Sequence, residues 1–155
     1  MIITYRTAIP SDAPALAHMR TAFLVEARDL SSGEANQAEM EAILLDYFRA
    51  SLADDSFAAW LAFDGDELIA TSGLSFSQVP PTFSNKSGKA AYIMNMYTLP
   101  AYRMRGIARA LLEKTVDEAR RCGYSKITLH ATDMGRPLYE KFGFEDSQGS
   151  MVLCI

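Results

Sequence analysis

Cysteine is scarce in this chain, and the two residues present lie far apart. Cys122 and Cys154 alone are too few for a disulfide framework or a cysteine-based metal cluster. We interpret each as a small apolar residue, because neither has an evident histidine partner that would activate it as a nucleophile. The sequence therefore predicts no metal site and no covalent cysteine intermediate.

Long apolar runs are also missing. No stretch approaches the ~20 residues that a membrane-spanning helix needs, and residues 1–6 lack the layout of a signal peptide. We therefore expect a cytoplasmic protein with no membrane partner. The chain has 155 residues, 49% of them hydrophobic, so we expect a single domain over residues 1–155 with a core of its own.

An excess of positive charge is absent too. Fifteen Lys and Arg residues against nineteen Asp and Glu residues give a formal net charge of −4, which disfavours nonspecific binding to nucleic acid. The sequence also lacks G-x-G-x-x-G after a first strand and G-x-x-x-x-G-K-[ST] anywhere, which argues against the common nucleotide-binding loops.

The segment 92–122 carries the clearest pattern that is present. An apolar strand over residues 92–98 leads through a proline turn into a helix, which ends with cations in its last turn and Gly123 as the expected left-handed cap. Apolar residues recur at helical spacing along it. This inner stripe consists of Ile107, Ala108, Leu111, Leu112, Thr115, Val116 and Ala119.

The start of this helix lacks side-chain acceptors for its free N–H groups. Residues 103–106 read Arg-Met-Arg-Gly, and Arg109 follows one turn later, whereas helix starts usually carry Ser, Thr, Asp or Asn and acidic residues. Two interpretations stay open. An anion such as a diphosphate accepts these hydrogen bonds, or the turn is an exposed basic segment capped by water.

The first half of the chain predicts one strand, two helices and a hairpin. Residues 2–7 form the strand, and a helix capped by Ser11 or Asp12 follows. A second helix spans residues 35–53, and residues 57–63 and 67–76 pair around an Asp-Gly turn. The predicted inner residues of the helices are Leu16, Met19, Phe23 and Ala27, then Met40, Ile43, Leu44, Tyr47, Phe48 and Leu52.

The second half predicts a crossover and a short helix. Strand 126–131 should lie parallel to strand 92–98, because a strand, a helix and a strand of this length form a βαβ unit. A helix beginning near Pro137 ends at Gly143. Residues 144–146 and 151–155 are expected to be strands.

Two motifs resemble the GNAT (GCN5-related N-acetyltransferase) superfamily. Arg103-x-x-Gly106-x-Ala108, between a strand and a helix, is similar to its coenzyme A signature, and residues 138–144, Leu-Tyr-Glu-Lys-Phe-Gly-Phe, are similar to its terminal helix. The resemblance covers essentially the whole chain. It implies an α/β (α+β) fold with a central mixed, mostly antiparallel, twisted sheet of six to seven strands flanked by four helices, in the order β-α-α-β-β-β-α-β-α-β-β.

The resemblance also implies a function. An acetyl-CoA-dependent N-acetyltransferase would transfer an acetyl group from acetyl-CoA to a primary amine of a small molecule or a peptide, by direct attack in a ternary complex. The alternative is a non-catalytic module that senses acyl-CoA. The resemblance further implies a possible homodimer.

By the same resemblance, the site residues fall into two groups. The phenol of Tyr139 would act as the acid toward the coenzyme A sulfur; the alternative is a core tyrosine held by one hydrogen bond. Thr132 stands where the family often has Asn, and Gly135 where it often has Ala. The predicted cofactor-binding residues are Met96, Tyr97, Thr98, Arg103, Met104, Arg105, Gly106, Ile107, Ala108, Arg109 and Thr132.

Neither the general base nor the acceptor is specified by the sequence. Glu26, Glu34, His130 and Asp133 all stay open as bases, as does a water relay. Acceptor specificity is expected from residues 28–36, from the loop 78–89 and from the end of the chain.

Overall fold

The computed structural model describes residues 1–28, 36–147, 149 and 151–155. Two 3-10 turns accompany the helices and strands, at Pro10–Asp12 and Pro100–Tyr102. The elements are β1 (Ile3–Thr7), α1 (Ala13–Arg28), α2 (Gln37–Ala53), β2 (Phe57–Asp64), β3 (Glu67–Gln78), β4 (Lys89–Thr98), α3 (Ile107–Arg121), β5 (Ile127–Leu129) and α4 (Arg136–Phe142).

The strands form one mixed sheet in the order β1-β2-β3-β4-β5. The first four strands are antiparallel, and β5 runs parallel to β4. The predicted hairpin and the predicted parallel crossover are therefore confirmed, as is the mixed, mostly antiparallel sheet with four helices.

The predicted count of six to seven strands is wrong, because the described ranges contain five. Residues 144–147 and 151–155 form no strand. For the first segment the reason is local. The amide of Phe144 donates to the carbonyl of Tyr139 over 3.0 Å, and the Phe144 ring packs edge-on against Tyr139. The turn after Gly143, at φ 117°, thus draws Phe144 back onto α4.

The core lies on both faces of the sheet. Leu16 of α1 and Phe48 of α2 pack with Leu61 of β2 on one face, and α3 covers the other face. All of the predicted α3 stripe is buried except Ala108, which is half-buried. The Thr115 hydroxyl, itself buried, donates to Ser72 over 2.7 Å and fixes α3 against β3.

Three predictions for α1 and α2 are wrong in detail. Asp12 caps no α-helix; it lies in the 3-10 turn, accepts from the Ile9 amide over 2.8 Å and pairs with Arg6. Helix α2 begins at Gln37 behind its cap Asn36, whose side chain accepts from Glu39. The predicted inner stripes were too wide. Their buried members are Leu16, Met19, Leu44, Phe48 and Leu52, and Phe23 is half-buried, while the other four members point outward. These exposed members are Ala27, Met40, Ile43 and Tyr47.

Candidate active site

A bulge in β4 sets the geometry of the site. Gly73 of β3 pairs with Met94, and Thr71 pairs with Tyr97, so two residues of β4 oppose one residue of β3. The first of them, Asn95, has φ 58°, a left-handed conformation that Asn tolerates better than most residues. Its carbonyl accepts from the buried Thr71 hydroxyl over 2.7 Å, which holds the bulge in place.

The bulge reverses which side chains face α3. Before it, Ile93 belongs to the cluster under α3; after it, Met96 packs against that same cluster. The side chain of Tyr97 therefore turns to the α1 face, where its ring meets Phe23 edge-on with centroids 6.1 Å apart.

The two parallel strands separate beyond the bulge. Strand β5 pairs with β4 only at residues 91–93, so residues 94–98 have no strand neighbour on that side within the described ranges. The predicted main-chain site at Met96, Tyr97 and Thr98 lies along this open edge. One main-chain acceptor of this edge already has a partner within the protein, because the Thr98 carbonyl accepts from Arg103 Nε over 2.9 Å.

Six successive backbone amides at the start of α3 have no acceptor. None of the N–H groups from Met104 to Arg109 donates to a backbone or side-chain group among the described residues, and the first hydrogen bond of the helix comes from Ala110 to the carbonyl of Gly106. Left-handed conformations at Met104 (φ 60°) and Gly106 (φ 79°) belong to the backbone pattern that turns successive amides into an anion-binding concavity. Gly106 was identifiable from sequence; the positive φ of Met104 was not.

The arginines near these amides differ in exposure and in partner. Arg105 is exposed and stacks over the Tyr102 ring, 5.6 Å from its centroid, while Arg109 pairs with Glu113 over 3.0 Å. Hydrogen bonds to Asp64 and Glu67 hold the Tyr102 phenol and raise its pKa to about 12. Tyr102 thus packs against Arg105, a contact that the sequence did not predict.

Arg103 is turned to a different partner. Its guanidinium bonds to the Glu26 carboxylate at 2.7 Å and 2.8 Å, and the Tyr97 hydroxyl donates to the same carboxylate over 2.9 Å. Burial raises the pKa of Tyr97, and its hydrogen bond to Glu26 adds to the shift. This cluster ties α1 to the end of β4, so a direct bond from the Arg103 side chain to a diphosphate stays a prediction.

The Tyr139 ring is buried, and no described protein group hydrogen-bonds its hydroxyl. This hydroxyl is not among the fully enclosed unpartnered polar atoms, so it reaches the surface of the site. The bond that would anchor a core tyrosine is therefore absent among the described residues. Burial raises the pKa of the phenol to about 12, and the neighbouring Tyr92 adds to the shift. The phenol therefore keeps its proton across the neutral range.

The raised pKa makes an expected contribution to stability. An unfolded phenol titrates near about 10, so the contribution is intact below that pH and is lost as the pH rises toward the folded value. Between about pH 9 and about pH 11, we expect the free energy of unfolding to fall by about 1.3 kcal/mol more in the parent than in Tyr139→Phe. Urea unfolding at both pH values measures this difference, and parallel curves for the two proteins would contradict it.

The turn before α4 accommodates both departures from the family pattern. The Thr132 hydroxyl accepts from the Gly135 amide over 3.1 Å, so it caps the turn that leads into the helix. At Gly135 a Cβ atom would stand 3.0 Å from the Tyr139 ring and 3.3 Å from Thr132 Oγ1. Glycine therefore leaves room for the ring, while the predicted contact of Thr132 with a cofactor stays a prediction.

The four candidate bases are placed very differently. Both carboxylate oxygens of Glu26 are engaged by Arg103, Asp133 is exposed, and Glu34 lies outside the described residues. His130 Nδ1 lies 2.6 Å from the Tyr92 hydroxyl. This pair joins β4 to the residue after β5, close to Tyr139.

The described ranges contain neither a metal-ligand cluster nor a membrane-spanning helix. Within the described ranges, no group of three or more His, Cys, Asp or Glu side chains is arranged to hold a metal ion. No helix there has the length and hydropathy to span a membrane.

Comparison with known proteins places this geometry in a family. The model of the acetyltransferase (GNAT) family matches residues 21–144. An uncharacterized N-acetyltransferase of Bacillus subtilis, YhfO, is 31% identical over 157 residues, which covers 97% of this chain and 95% of that protein. A glucosamine 6-phosphate N-acetyltransferase of Trypanosoma brucei brucei is 27% identical over 81 residues, 52% of this chain and 55% of that protein.

A solved structure agrees in fold. The crystal structure of a predicted acetyltransferase from Clostridium acetobutylicum with acetyl-CoA has a TM-score of 0.89 and 35% identity, and the alignment covers 99% of this chain and 96% of that one. The sequence motifs, the split between β4 and β5 and these matches agree, and the chain belongs to the acetyltransferase (GNAT) family.

Proposed function

We propose that this chain transfers an acetyl group from acetyl-CoA to a primary amine, by direct attack of the amine in a ternary complex. The observation that carries the proposal is the row of six unpaired amides from Met104 to Arg109. Bare amides at a helix start, flanked by arginines, match the oxygens of a diphosphate in charge and in hydrogen-bonding capacity.

The thioester supplies the activated acetyl group, so the chain has to bind and orient the reactants, take a proton from the amine and protonate the leaving thiolate. The open edge of β4 would hold the pantetheine arm along Met96 and Tyr97. Tyr139 Oη, protonated and unpartnered, would donate its proton to the sulfur as the thiolate leaves. The Tyr92–His130 pair lies near this phenol, although a water relay remains an equal route for the amine's proton.

A thiol-release assay with acetyl-CoA tests the proposal. The amine panel would contain polyamines, aminoglycosides, amino acids, amino sugar phosphates and peptides, because curated relatives include a glucosamine 6-phosphate N-acetyltransferase. We expect at least one amine to raise thiol release above hydrolysis, and mass spectrometry to find that amine acetylated. If calorimetry shows that acetyl-CoA binds but no amine is acetylated, the chain would be an acyl-CoA sensor and not an enzyme.

A further inference from the structure

Arg20 occupies a position in α1 where the helix otherwise buries apolar side chains. It follows Leu16 by four residues and Ala17 by three, and both of these are fully buried. Arg20 is itself half-buried. Removing a guanidinium from water is unfavourable unless an anion or several hydrogen bonds replace the solvent.

The structure supplies aromatic neighbours but no anion. Arg20 Cζ lies 6.0 Å from the centroid of the Phe23 ring. Burial lowers the pKa of Arg20, and the phenols of Tyr92 and Tyr47 lie close enough to oppose that shift. No carboxylate pairs with it in the described part of the chain, whereas the other half-buried arginine of this region, Arg103, is bonded to Glu26.

Arg20 lies on the α1 face of the proposed reaction centre. The Phe23 ring beside it meets Tyr97 edge-on at the open edge of β4. The Tyr92–His130 pair lies on the same face, because Ala91 and Ile93 point to the cluster under α3. Tyr139 belongs to that α3 cluster, so the guanidinium and the proposed acid approach the split between β4 and β5 from opposite faces of the sheet.

We propose that Arg20 binds an anionic group of the acceptor, so that the substrate is a small primary amine that also carries a carboxylate or a phosphate. The proposal rests on the function proposed above. Arginine suits either anion, because its planar guanidinium bonds two oxygens at once. The molecule must be short, since its anion and its amine would both lie on the α1 face beside the split between β4 and β5. With a net charge of −4 on the chain, attraction of such an acceptor depends on this local cation.

The test compares matched amines in the parent and in Arg20→Gln. One pair is glucosamine 6-phosphate and glucosamine; the other is a set of amino acids and their carboxamides, which separates phosphate from carboxylate. The parent should favour the anionic member of one pair in kcat/KM by about 10- to 100-fold, the usual range for a charge-assisted contact. Arg20→Gln should reduce that preference to within about threefold by raising KM for the anionic member alone.

Two further variants sharpen the result. Arg49→Gln, at an exposed position of α2, makes the same charge change and should keep the preference. Arg20→Lys should keep part of it, because the charge remains but the two-oxygen geometry is lost; this variant also serves if Arg20→Gln does not fold.

The outcomes separate this proposal from the function it depends on. Transfer with an equal preference in the parent and in Arg20→Gln would overturn the role of Arg20 and leave the acetyltransferase intact. If the parent acetylates no amine, calorimetry on the coenzyme A-loaded protein still shows whether Arg20 binds an anionic amine. Binding of an anionic amine that Arg20→Gln abolishes would support the role, and no binding of any anionic member would overturn it.

Discussion

Replacing Tyr139 with Phe is expected to lower kcat by about 100-fold or more, which is the contribution of a positioned general acid. The dissociation constant for acetyl-CoA should stay within about threefold, because the diphosphate contacts proposed for residues 104–109 do not involve the phenol. Steady-state kinetics with the best amine of the panel, together with calorimetry, separates the two effects. The variant loses one oxygen that has no hydrogen-bond partner among the described residues, so the fold should be retained.

A matched tyrosine provides the control. Tyr124 is half-buried and stacks on Phe76 with ring centroids 4.7 Å apart, away from the open edge of β4. Tyr124→Phe should therefore keep the parent kcat. Equal turnover in the parent and in Tyr139→Phe would remove Tyr139 from the acid role, whatever the control shows.

Gly106→Ala should raise KM for acetyl-CoA by about 10- to 100-fold, the range expected when hydrogen bonds to a charged group are lost. At φ 79° any side chain strains the backbone, and relief of that strain would turn the bare amides away from their common direction. No described protein atom lies within 4 Å of the added Cβ. The expected loss therefore comes from backbone strain at this position and not from a clash with the protein.

Two comparisons make this effect specific. S-acetylpantetheine lacks the diphosphate, so the parent and Gly106→Ala should use it equally well. Gly65→Ala places the same strain, at φ 60° and with open space around it, in the turn between β2 and β3, and it should leave KM for acetyl-CoA unchanged. A similar loss with both thioesters would show that the variant damages the fold rather than the diphosphate site.

The features that the sequence predicted correctly depend on residues close together in the chain. The stripe of α3 and the crossover follow from spacing along one short segment, because a helix and its flanking strands are specified by neighbours a few residues apart. The unpaired amides were predictable for the same reason. The four residues from Arg103 to Gly106 suffice to predict a helix start without a side-chain acceptor.

Other features depend on long-range contacts and were not predictable. Arg103 bonds to Glu26, 77 residues away in the sequence, and no local pattern predicts that pairing. The exposure of Met40 and Ile43 depends on how much of α2 the sheet covers. Apolar spacing does not predict this coverage, because it identifies the apolar face of a helix but not how much of that face is buried.

Arg20 is an intermediate case. It was not among the residues singled out from the sequence, although it follows the predicted inner residue Leu16 by four positions. An isolated cation beside an apolar stripe can be interpreted only when its neighbours are known. Tyr92, Tyr47 and Phe23 come together around it from β4, α2 and α1.

The extra residue at Asn95 has a consequence for how such chains can vary in length. Deleting Asn95 would restore regular pairing with β3, with Met96 opposite Ser72, and would leave Met96 on the α3 face and Tyr97 on the α1 face. Insertions and deletions in the loop after β3 also leave these orientations unchanged. In chimaeras that join the front half of this chain to the back half of a relative, a one-residue difference in the length of β4 must therefore be placed at the bulge.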